Sequence, residues 1–157
     1  MRRQSGFTYL VALGLIAILA IVGTRLAEDS ALTQRQEQEA ALLYIGLAYQ
    51  RAIGDYYRLT PGTLKRYPPT LDALLQDDRL VRLQRHLRRP YRDPIQPTLA
   101  WGLIPAPDGG IAGVYSQAPG KPLKTGGFPS DLTAFTAASR YADWRFIYVP
   151  PPEPPQS

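Results

Sequence analysis

The sequence predicts an α+β fold: one long N-terminal helix, with a membrane half and an amphipathic half, packed on a small three-stranded antiparallel sheet. Three observations lead there. A charge-free apolar run fills Phe7–Gly23. A proline-free stretch follows from Thr24 to Leu59 and develops an apolar stripe at helical spacing. Beyond residue 98, three short segments of strand character appear, two of them separated by an Asp-Gly turn.

The 157 residues suit one domain plus attachments. Much of the strongest apolar character lies in the first 26 residues, so the remainder buries only a modest core. There is no cysteine, which excludes disulfides and thiol-based metal or redox sites. Net charge is +5; without Arg2 and Arg3 the chain keeps 16 basic and 13 acidic side chains, a mild bias that does not by itself argue for nucleic acid.

Met1–Gly6 is short, polar and basic. The run from Phe7 to Gly23 spans roughly 25 Å as a helix, just enough with its flanks to cross a hydrocarbon core. Arg2 and Arg3 keep the N-terminus cytoplasmic and place the rest of the chain outside. A cleaved secretory signal wants small residues after the apolar core, and Val22-Gly23-Thr24-Arg25-Leu26-Ala27-Glu28 fits that poorly.

The segment Gly6-Phe7-Thr8-Tyr9-Leu10 resembles the class III signal of type IV pilins and type II secretion pseudopilins. The resemblance implies that a prepilin peptidase cuts between Gly6 and Phe7 and methylates the new N-terminal Phe7. The apolar run is then retained as an anchor and later packs in a filament. One departure is plain. The family's glutamate at the fifth mature position is Val11 here. A carboxylate in lipid needs a partner, and the subunit's amine supplies one in the family. Its loss leans toward a minor subunit. Tyr9 is larger and more polar than the usual aliphatic residue, and its hydroxyl suits the headgroup level.

Residues 28–39 are strongly polar. From there Leu42, Ile45, Tyr49, Ala52, Ile53 and Tyr56 form one helical face, with Gln50, Arg51, Asp55 and Arg58 opposite. Gly46 and Gly54 are the only glycines between Thr24 and Leu59, and Thr60-Pro61-Gly62 ends the helix. Next, Tyr67–Leu75 reads as an extended segment and a short helix capped by Thr70, with Asp72 in its first turn. It is similar to the segment that follows the long helix in major pseudopilins.

Residues 79–93 are rich in arginine, and the spacing of Arg79, Arg82, Arg85, Arg89 and Arg92 would put several of them on one helical face. The plainer reading is a solvated or locally paired basic face. The functional one is a patch of Arg82, Arg85, Arg88, Arg89 and Arg92 for an anionic partner. Only Tyr91 offers a stacking platform, so nucleic acid is not the expected partner.

Strands are expected at residues 98–104, 111–116 and 144–149, with Trp144, Phe146 and Tyr148 on one face of the last. The loop 117–142 contains Gly126-Gly127 and Asp131, with Asp143 just beyond. Major pseudopilins bind calcium in the corresponding loop. Calcium wants six to eight oxygens, and two spaced aspartates do not provide them, so no metal is expected.

Catalysis lacks parts. There is no cysteine and one histidine, His86, which sits among arginines and reads as a surface residue. Gly120-Lys121 lacks P-loop spacing, and Asp77-Asp78 point apart if helical. The expectation is a non-enzyme without cofactors. Its segments are a leader (1–6), a membrane segment (7–26), an amphipathic half-helix (27–60), a periplasmic head (61–149) and a disordered proline-rich tail (150–157). The resemblance implies a pseudopilin or minor pilin of a type II secretion or type IV pilus-like machine. It would be anchored in the inner membrane, and its partners would be prepilin peptidase, other subunits and, indirectly, an assembly platform and its ATPase. Two alternatives remain: a minor pilin that binds DNA or an adhesion target through arginines, and a simple signal-anchored periplasmic protein.

Overall fold

A computed structural model of the chain describes residues 5–79 and 83–152, with backbone alone at 5–6 and 20–29. The first helix, α1, runs from Ser5 to Arg58. The chain divides into two compact units, Met1–Glu37 and Gln38–Ser157. In the first, every side chain from Phe7 to Leu19 is exposed, on all sides of the helix. Among the described residues no helix is long and apolar enough to cross a membrane. The expected membrane segment continues over residues 20–26, whose side chains lie outside the described set.

The second unit is α+β. Its sheet is a three-stranded antiparallel meander in the order β1-β2-β3, with β1 at Gly102–Pro105, β2 at Ile111–Tyr115 and β3 at Phe146–Ile147. Gly102 pairs with Tyr115 and Leu103 with Val114, and a bulge between Ile104 and Pro105 leads into the turn. In that turn Gly109 takes φ +84°, where a side chain is disfavoured. The Asp108 carboxylate accepts from Gly110 N at 3.0 Å and from Tyr67 N at 2.8 Å, tying the turn to the strap that follows α1.

The strands are shorter than the sequence indicates. The expected first strand began at residue 98, yet pairing starts at Gly102. The third was expected over 144–149 and pairs only at Phe146–Ile147, with Tyr148 N adding a bond to Ala112 O at 2.9 Å. Alternation in sequence reports which face a side chain takes, whereas ladder length depends on the neighbouring strand.

The stripe on α1 is the centre of the core. Leu42, Tyr49, Ala52, Ile53 and Tyr56 are buried and Ile45 packs against them. The two helix glycines are seats for rings. A Cβ at Gly46 would lie 2.3 Å from the Phe146 ring, and one at Gly54 would lie 2.7 Å from the Tyr148 ring. Alternate side chains of the last extended segment therefore land two helical turns apart on α1. Trp144 is fully buried among Phe128, Phe135 and Tyr141, and stacks on Phe135 with centroids 5.7 Å apart.

Among its described residues the arginine-rich segment is not helical. Asp77 instead bridges Gln84, and Leu74 O accepts from both His86 N and Leu87 N at 2.9 Å, folding the segment back on itself. The short helix before it is a single 3-10 turn, Asp72–Leu74. Thr70 stands before its cap residue Leu71, and its hydroxyl accepts from Ala73 N at 3.3 Å. The loop 117–142 is likewise structured, with 3-10 turns at Ser130–Ala137 and Tyr141–Asp143.

Candidate functional site

Gly6 and Phe7 lie within α1, and the Phe7 side chain is 73% exposed. Val11 is exposed on the same uncovered helix. Apolar side chains exposed around a whole helix need lipid or protein around them, since water disfavours them by about 25 cal/mol per Å².

The polar features of the head are built differently, around buried carboxylates. Glu39 is 2% exposed. It accepts from Leu123 N at 2.6 Å, Lys124 N at 2.9 Å and Tyr141 OH at 2.7 Å. One helix carboxylate thus grips both ends of the loop 117–142. In the sequence Glu39 closes the strongly polar stretch 28–39. The missed signal is spacing: the apolar stripe extended back three residues from Leu42 lands on Glu39.

Asp77 makes a second anchor, and it corrects two expectations. It is not beside Asp78 on a helix but buried, with Asp78 exposed. His86 is not a surface residue: its side chain is 2% exposed, with a ring nitrogen 3.1 Å from Asp77. Arg79 leaves the supposed basic face altogether. Its guanidinium meets Asp77 in a bidentate pair at 2.8 and 2.7 Å and lies over the Tyr56 ring, 3.4 Å from the centroid. It also donates to Thr60 Oγ1 at 2.9 Å and Tyr56 O at 3.0 Å, closing the C-terminal end of α1, where a cation is favourable. Arg79 holds the Asp77 carboxyl far below the usual carboxylate range, helped by His86 and opposed by burial.

Of the predicted patch, Arg85, Arg88, Arg89 and Arg92 are exposed, and Arg82 lies outside the described residues. Arg89 sits over the Tyr91 ring at 5.2 Å. A third carboxylate, Asp93, is fully buried; it accepts from Ser116 Oγ and from Ile95 N at 2.9 Å.

No family model, curated protein or solved structure matches this chain.

In the loop 117–142 and just beyond it, Asp131 and Asp143 do not converge. Asp143 accepts from Ser139 N and Arg140 N, both at 2.9 Å, and these bonds lower its pKa. Asp131 is exposed and accepts from Ser130 Oγ. Among the described residues no group of three or more potential metal ligands gathers. The loop is ordered by its bonds to Glu39.

Proposed function

We propose that the chain is a membrane-anchored, pilin-like structural subunit of a bacterial envelope machine, processed between Gly6 and Phe7. The observation that carries this reading is the uncovered apolar helix behind a basic Gly-Phe signal. No charge interrupts the sequence from Phe7 to Thr24, and the side chains from Phe7 to Leu19 are exposed around the whole helix. In this reading the helix rests in the inner membrane and is extracted into a periplasmic filament, where neighbouring helices replace lipid around it. Mechanical work comes from an assembly platform and its ATPase, and this chain contributes packing surface. Val11 in place of glutamate removes an electrostatic guide for subunit addition and favours a minor role.

The anchor is tested by fractionation. The chain is expected in the inner-membrane pellet and to resist alkaline carbonate extraction. Leu15→Arg, costing about 3 kcal/mol in the bilayer centre, is expected to shift it measurably into the extract. Recovery of the unaltered chain in the carbonate supernatant contradicts an integral anchor.

A further inference from the structure

An open cleft of about 490 Å³ lies where the strap after α1 meets the end of the sheet. Tyr57, Tyr67 and Tyr148 line it, with ring centroids 4.8 to 6.4 Å apart, together with Lys65 and Pro107. Aromatic linings of this kind take polyproline II segments, which arrive already extended and lose little entropy on docking. The chain carries such a segment: Pro150-Pro151-Pro152-Glu153-Pro154-Pro155.

We propose that this cleft receives the proline-rich C-terminal segment of a second copy of the chain. Three features select that occupant. First, polyproline II has three residues per turn. Docked in that form, Pro151 and Pro154 would share one ridge and Pro152 and Pro155 a second, and two apolar ridges suit a tyrosine lining. Glu153 falls on the third ridge, free to meet Lys65. Second, Lys65 supplies a cation that has no salt bridge among the described residues. Its Nζ donates to Arg58 O and Thr60 O at 3.0 Å, both neutral carbonyls. The Asp108 carboxylate also lines the cleft and accepts from Tyr67 N and Gly110 N. Third, the chain's own segment starts among the lining residues, at Val149 and Pro150. Consecutive prolines hold φ near −65° and resist the tight reversal needed to re-enter a cleft at their own root. The contact is head-to-tail, joining unlike surfaces, so it extends from copy to copy. It adds a link between heads to the proposed function and does not depend on processing at Gly6.

The absence of cysteine makes the test direct. Full-length, unprocessed Pro107→Cys and Gln156→Cys chains are mixed in detergent under mild oxidant. A mixed disulfide dimer is expected at about five-fold or more over a control pair of Gln156→Cys with Ser130→Cys. Adding Lys65→Glu to the first chain is expected to abolish the excess. Adding Glu153→Lys to the second is expected to restore it, which a folding defect would not allow. Three results would each overturn the proposal: mixed dimer no greater than the control, no response to charge reversal, or a double variant that closes its disulfide within a monomer.

Discussion

Glu39→Ala is expected to lower the stability of the head by about 4 kcal/mol and to release the loop 117–142. The carboxylate is buried and receives three donors: the amides of Leu123 and Lys124 and the hydroxyl of Tyr141. Alanine leaves them without their acceptor. Total stability of a small domain is about 5–15 kcal/mol, so this single loss is a large share. Glu39→Gln keeps one carbonyl acceptor but turns an NH₂ group toward an N–H donor, and is expected to cost about 2 kcal/mol. Urea unfolding followed by tryptophan fluorescence measures both, since Trp144 is buried just beyond the loop. Limited proteolysis should cut the alanine variant first near 120–127. A change below about 1 kcal/mol with unchanged cleavage would contradict the anchoring role.

The second large effect is expected at Arg79. Arg79→Ala removes the bidentate partner of buried Asp77, the cation over Tyr56 and two bonds at the end of α1. Breaking a buried pair from one side costs about 3 kcal/mol even at the low end, which suits a guanidinium still 27% exposed. The pH dependence should change as well. Asp77 has a depressed pKa in the folded state. Its contribution is therefore fully present above the unfolded value near about 4, and is lost as pH falls below that toward the folded value. Arg79→Ala is expected to flatten this acid-side loss, read from urea midpoints at pH 7 and pH 3. Parallel loss in both proteins would show that the pair does not govern acid stability.

The α+β class, the stripe from Leu42 to Tyr56 and the Asp108-Gly109 turn were legible because each rests on local periodicity or local backbone demand. The roles of Gly46 and Gly54 were not, since they answer to rings about 100 residues away. Arginine spacing suggested a helical face at 79–92. There tertiary contacts prevailed: Asp77 gathers Arg79 and His86 from either side of the turn, and the backbone follows. Glu39 was hidden for the opposite reason. Its surroundings in sequence are polar, so only the phase of the helix pointed inward.

Processing between Gly6 and Phe7 is the central claim, and intact mass with N-terminal sequencing tests it most directly. The chain is isolated from native membranes with and without prepilin peptidase. The account predicts a mature chain beginning at methylated Phe7 when the peptidase is present, and the full Met1 chain when it is absent. A Met1 chain in both cases would make this a plain membrane anchor. A cut beyond Ala20 would remove the apolar helix and contradict the filament reading.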